Sequence, residues 1–174
     1  MLWILGAVAV GTALLGAFFL GVFAGSGELE VLVHDAPCAD CAHVYVTFSS
    51  VSVHQSDYHG NGWMTLAVRG TTFDLEALNG TAMARLLGLD NLTAGSYTQV
   101  RLAVTNVTIV LLDGQRMAAQ LSSSTSADIN VPFTVSAGGT TILDIDIDLA
   151  SSVHVTPTGA VFTPDIGSVT VSSS

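Results

Sequence analysis

Lysine is absent from this 174-residue chain, and only Arg69, Arg85, Arg101 and Arg116 carry a permanent positive charge. Against them stand 14 acidic residues, for a formal net charge of −10. A chain so short of cations cannot neutralise a run of phosphates, which argues against nucleic acid as a partner. The same shortage argues against docking on anionic lipid headgroups. Charged residues make up only 10% of the chain, so Ser, Thr, Asn and Gly must keep its surface polar. Catalytic signatures are missing as well. No serine lies in a G-x-S-x-G elbow, and no glycine-rich phosphate loop precedes a helix. No nucleophile, base and orienting group can be assembled from the pattern. An enzyme is therefore not expected, and no cofactor is expected.

Charge is missing altogether from residues 1–27, MLWILGAVAVGTALLGAFFLGVFAGSG, and the first charged side chain is Glu28. A secretory signal peptide would carry a basic region before a shorter apolar run. A membrane anchor would carry Lys or Arg at its cytoplasmic flank. Neither mark is present, and the apolar run from Leu2 to about Ala24 is long enough for one bilayer crossing. The composition predicts a hydrophobic α-helix over residues 1–26. On it, Ala9, Ala13, Ala17, Gly21 and Gly25 form a ridge of small residues at every fourth position, and Leu14, Phe18 and Val22 stand in a bulky ridge beside it. Small ridges against bulky ones suit close packing of identical helices, in a membrane or in a filament core.

An apolar helix that opens the chain without a basic leader resembles the mature N-terminus of a type IV pilin, whose leader a peptidase has removed. Bacterial pilins usually carry Glu at the fifth mature position, where Leu5 stands here. Archaeal pilins commonly lack it, so the resemblance points to an archaeal filament subunit. It implies a helical homopolymer in which the head helices form the core.

From residue 27 onward the pattern changes to period two. ELEVLVH, HVYVTFSSVSVHQ, WMTLAV, YTQVRLAVTNVTIVLL, RMAAQL, INVPFTV and TILDIDIDL alternate apolar and polar residues between short turns rich in Gly, Asp and Asn. Eight to ten strands of this kind predict an antiparallel β-sandwich over residues 27–174. FDLEALNGTAMARLLGLDNLTAG is the one helix-like stretch, with apolar spacing through Leu75, Leu78, Met83, Leu86 and Leu87. Gly25-Ser26-Gly27 is the expected hinge between head and domain. The fold class expected is thus mainly β, a hydrophobic N-terminal helix followed by an antiparallel sandwich with one short helical insertion.

The segments LEVLVHDAPCADCAHVYVTFSSVSVH, GNGWMTL, FDLEALNG, LTAGSYTQVRLAVTNVTIVL and VPFTVSAGGTTILDIDIDL together resemble domain-of-unknown-function family 4382, found in prokaryotic surface proteins and lipoproteins. The resemblance runs over nearly all of residues 28–171. It implies an exported β-domain and brings no activity or catalytic residues with it. No lipobox cysteine stands near the N-terminus, so lipid anchoring is not expected.

Three sequons, at Asn79, Asn91 and Asn106, fit an exported protein that carries N-linked glycans. Cys38 and Cys41 are the only cysteines, and His34 and His43 flank them in an H-x3-C-x2-C-x-H pattern. Four soft ligands so close could hold zinc. In an exported protein the plainer expectation is a disulfide that closes a small loop. Asp144, Asp146 and Asp148 alternate with isoleucine and share one strand face, where a calcium ion could relieve their repulsion. Metal is not the favoured expectation at His34, His43, Asp144, Asp146 or Asp148. The function expected is a structural subunit of an extracellular type IV pilus-like filament used for adhesion or surface contact. Such a subunit sits in the membrane before assembly, and its partner is itself. The alternative is a membrane-anchored binding module for sugar or metal that does not polymerise.

Overall fold

The structure, a computed structural model, describes residues 25–56, 60–69, 71–80, 84–122 and 125–174. Its strands are β1 (Ser26–Ala36), β2 (Cys41–Gln55), β3 (Trp63–Val68), β4 (Thr72–Asp74), β5 (Arg85–Thr93) and β6 (Gly95–Leu111). They continue with β7 (Arg116–Leu121), β8 (Ser126–Val135), β9 (Thr140–Asp148), β10 (Val153–Thr156), β11 (Gly159–Phe162) and β12 (Ile166–Ser173). A single turn of 3-10 helix spans Leu75–Leu78, and the four-residue helix α1 (Leu149–Ser152) joins β9 to β10.

The period-two pattern becomes burial directly. In β9, Thr141, Leu143, Ile145 and Ile147 point into the core, while Asp144, Asp146 and Asp148 lie on the wetter face. In β1, Leu29, Val31 and Val33 are fully buried on the inner side. All twelve strands belong to one hydrogen-bonded sheet, ordered β10-β11-β7-β6-β2-β3-β5-β1-β9-β12, with β4 paired to β2 and β8 paired to β6. β6 gives its first half to β8 and its last residues to β7. Register shifts around Thr47–Ser50, where β2 pairs with β6, add local bend to the natural twist of the sheet. The run β8-β6-β2-β3-β5-β1-β9-β12 curls until its two ends, β8 and β12, line the same groove. The result is an open barrel around one hydrophobic core.

This corrects the expected antiparallel sandwich in two respects. First, the layers are not separate sheets, because Ala67 and Val68 of β3 pair with Leu89 and Gly88 of β5 and join them. Second, the sheet is mixed, since β1 runs parallel to β9 and β11 runs parallel to β7. Alternation reports that a strand has one buried face. It carries no information on which strand lies beside it or in which direction.

The expected helical insertion is also corrected. Among the described residues of this stretch only Leu75–Leu78 is helical, and Leu86 and Leu87 lie in β5, between β1 and β3. Gly88, Asp90 and Asn91 are poor helix formers, and pairing on both edges overrides the leucine spacing. Residues 81–83, which include Met83, lie outside the described residues.

The expected hydrophobic helix falls almost wholly on residues 1–24, outside the described residues, together with Ala9, Ala13, Leu14, Ala17, Phe18, Gly21 and Val22. Where it was to end, no helix is found: Gly25 is irregular and Ser26 opens β1. Ser26 and Gly27 are therefore part of the sheet rather than a hinge. A side chain at Gly27 would collide with the carbonyl of Ser136 in the β8–β9 turn, so this start of β1 is tightly packed. Among the described residues, no helix is long and apolar enough to cross a membrane.

The core makes a direct prediction. Ile145 is fully buried, so Ile145→Ala should cost about 2–5 kcal/mol in a urea titration, whereas Thr170→Ala on the exposed face should change it by less than about 0.5 kcal/mol.

Candidate functional site

Three places gather the chemistry that the sequence offers. At the first, the loop after β1 closes through a disulfide between Cys38 and Cys41, with an S–S distance of 2.02 Å. Glu76, in the 3-10 turn, accepts a hydrogen bond from the Cys38 amide at 2.7 Å. The two sulfurs and the Glu76 carboxylate lie within 4.8 Å of one another, yet a disulfide offers no thiolate to a metal. His43 does not join them. Its Nδ1 lies 2.7 Å from Asp74 Oδ2, and its ring stacks on Tyr45.

At the second place, His34 lies between two carboxylates of the parallel neighbour β9. Its Nε2 is 3.6 Å from Asp144 Oδ1 and its Nδ1 is 3.5 Å from Asp146 Oδ1. Both separations exceed an ordinary hydrogen bond, and each nitrogen faces a different acid. The three groups thus do not converge on a single point where an ion would sit. Asp148 is turned away from them and caps α1, accepting from the Ser151 amide at 3.0 Å and the Ser151 hydroxyl at 2.8 Å. Those bonds hold its pKa below the usual carboxylate value. The five candidate ligands named from the sequence are therefore divided: His34 with Asp144 and Asp146, His43 with Asp74, and Asp148 at a helix cap.

Beside them lies a group that the sequence reading missed. Asp35 is 2% exposed, and among the described residues neither carboxyl oxygen has a hydrogen-bond partner of normal geometry. Burial raises its pKa to about 8, with repulsion from Glu76 adding and the Leu149 amide opposing. The only hint in the sequence is position: Asp35 continues the inward phase of Leu29, Val31 and Val33.

The third place is the groove of about 420 Å³ between β8 and β12, lined in part by Ile129, Val131, Pro132, Ile166 and Val169. Among the described residues, β12 has a hydrogen-bonded neighbour on one side only. Its sequence, IGSVTVSS, has no charge and no proline. Of the devices that normally keep an edge from pairing with another chain, it has only the register shift at Ile166–Ser168.

The remaining candidates are surface features. Asn79, Asn91 and Asn106 are all exposed. Arg101 makes two bonds to Asp128, at 2.7 and 2.8 Å, and its guanidinium covers Trp63 at 4.2 Å. That ring face is consequently taken, and is not free to stack on a sugar.

The globular part has a family. The chain belongs to the domain-of-unknown-function family DUF4382, whose model matches residues 26–164. The match opens at the first residue of β1 and stops short of β12. No curated protein and no solved structure matches the chain.

The DUF4382 domain should respond to pH through Asp35. An acid whose pKa is raised in the fold keeps a proton that the unfolded chain has lost, here between about 3.8 and about 8. Stability should thus be greatest at the acid end of this window and fall as pH rises through it. Asp35→Asn should flatten most of that slope in denaturation curves from pH 4 to 9, leaving a smaller slope from Glu76, which burial also raises. Replacing both cysteines by serine should cost about 2 kcal/mol at most, because the closed loop is so short.

Proposed function

We propose that this DUF4382 protein is a structural subunit of the cell surface, one that assembles with copies of itself into an extracellular filament. The observation that carries the reading is the edge of β12, which has no strand on its outer side among the described residues and runs beside a groove of mixed polar and apolar lining. A soluble monomer would be expected to guard such an edge. Residues 1–24, free of charge, supply a long apolar segment whose natural place is against lipid or against other protein. The finer assignment, an archaeal type IV pilin-like subunit, rests on the likeness of that segment to the mature N-terminus of such pilins. In this reading the protein waits in the membrane before assembly. The β-domains then form the outer layer, with glycans on the exposed Asn79, Asn91 and Asn106. The work done is assembly and surface contact rather than turnover.

The test is sedimentation and electron microscopy of the full chain recovered from cell surfaces, with its N-terminus checked by mass spectrometry. Fibres that pellet and contain residues 1–24 are the expected result, with hexose on at least one of the three sequons. A chain that retains residues 1–24 and stays monomeric in detergent-free preparations would favour a membrane-anchored binding module and end the filament reading.

A further inference from the structure

The turn between β1 and β2 carries more chemistry than closing a loop requires. Cys38 and Cys41 stand three positions apart, and the Cys41 amide tightens the turn by donating to the Cys38 carbonyl at 3.3 Å. The Leu112 amide donates to the Asp40 carbonyl at 3.1 Å and fixes the turn against the end of β6. A ring this short contributes only about 2 kcal/mol in the chain-entropy model. The fold rests instead on one large core. Breaking the S–S bond therefore leaves both sulfurs where the sheet puts them.

Three ligand atoms already converge here. The two sulfurs and a Glu76 carboxylate oxygen lie within 4.8 Å of one another. Glu76 is held in place by backbone, because its Oε1 accepts the Cys38 amide at 2.7 Å. That bond occupies Oε1 and leaves Oε2 for an ion. In a tetrahedral zinc site each sulfur stands about 2.3 Å from the metal, which puts two sulfurs about 3.8 Å apart. The Cα atoms of Cys38 and Cys41 are 5.3 Å apart. Rotating the side chains about their Cα–Cβ bonds opens the sulfurs to that separation without moving the backbone.

The charges around the turn favour a cation. Glu76 is repelled by Asp74, and it repels Asp35 in turn. Asp35 is 2% exposed, and among the described residues neither of its oxygens has a hydrogen-bond partner of normal geometry. His43 opposes this repulsion, but its Nδ1 is engaged 2.7 Å from Asp74 Oδ2. A divalent ion on Glu76 relieves the repulsion from within the cluster, and Asp35 benefits without touching it.

We propose that, once its disulfide is reduced, this turn is a zinc site in which Cys38, Cys41 and Glu76 supply three ligands and water the fourth. Soft thiolates select zinc over magnesium or calcium, and sulfur and oxygen ligands together suit its tetrahedral preference. External thiols supply the electrons. Two of them pass two electrons and two protons to the Cys38–Cys41 bond and leave as a disulfide. The cation then displaces both thiol protons to solvent. Reoxidation by a disulfide reverses both steps and releases the ion. Cys38 is half-buried and Cys41 is 6% exposed, so exchange begins at Cys38. The histidines of the H-x3-C-x2-C-x-H pattern take no part, since His34 faces Asp144 and Asp146 and His43 faces Asp74. The site is independent of the filament reading and survives its failure.

Zinc and cobalt titrations test this on the full chain in detergent, reduced by a phosphine that is then removed under argon. One ion per chain is expected, with a sulfur-to-cobalt charge-transfer band that vanishes when a disulfide reagent reoxidises the protein. Glu76→Gln keeps the acceptor for the Cys38 amide and should weaken zinc binding about tenfold or more, since loss of even an outer partner has that effect. His43→Ala should bind as the wild type does. No band in the reduced wild type would overturn the proposal, as would equal affinity in Glu76→Gln or a comparable loss in His43→Ala. Should Glu76→Gln fail to fold, zinc X-ray absorption of the reduced wild type decides the matter. Two sulfurs with oxygen neighbours are expected; four sulfurs, or imidazole nitrogen, refute the site.

Discussion

The parallel register between β1 and β9, from Glu28 opposite Thr140 to Ala36 opposite Asp148, is the constraint on which the remaining features depend. It brings together two strands separated by more than half the chain, and it buries Leu29, Val31 and Val33 against Leu143 and Ile145 in one core. Fixing β9 beside β1 leaves only the outer side of β9 for β12. The same register sets His34 beside Asp146 and carries Asp35 to the buried end of the strand. The acid pair, the raised carboxyl and the unfinished edge are three consequences of one pairing.

Much of this domain is legible in its sequence, and for a physical reason. A strand with one wet face and one dry face must alternate, so the extents of β2, β6, β8 and β9 follow from the positions of their valines and isoleucines. The turns at Gly114 and Gly138 are legible too, since both glycines adopt positive φ, of 84° and 74°. Partner choice is not encoded in this way. The parallel pairings, and the joining of β3 to β5 by two residues, depend on contacts between distant segments. The leucines of β5 show the limit from the other side: their spacing reads as helical, and burial between β1 and β3 outweighs it.

The candidate site was legible in its parts but not in its arrangement. His34, Asp144 and Asp146 are visible as possible ligands, and the structure does bring them together, with each imidazole nitrogen facing a separate acid. His43 and Asp148 have the same composition and different employment, one paired to Asp74 and one capping a helix. The edge of β12 left a trace that composition alone could reveal, a β-favouring run with no lysine, proline or charge. What made it significant was the exposure of Val171 on a face where its neighbour Leu143 has none. Residues 1–24 and β12 both lie outside the stretch matched by the DUF4382 family.

The central claim is that the open edge of the sheet is completed by another copy of the chain. Amide hydrogen exchange at Val169, Val171 and Ser173, the alternate residues of β12 whose amides point away from β9, tests it most directly when dispersed chains are compared with the assembled form. The account predicts fast exchange at these three positions in the dispersed chain and at least tenfold slowing on assembly. Unchanged fast exchange at all three in the assembled form would contradict it.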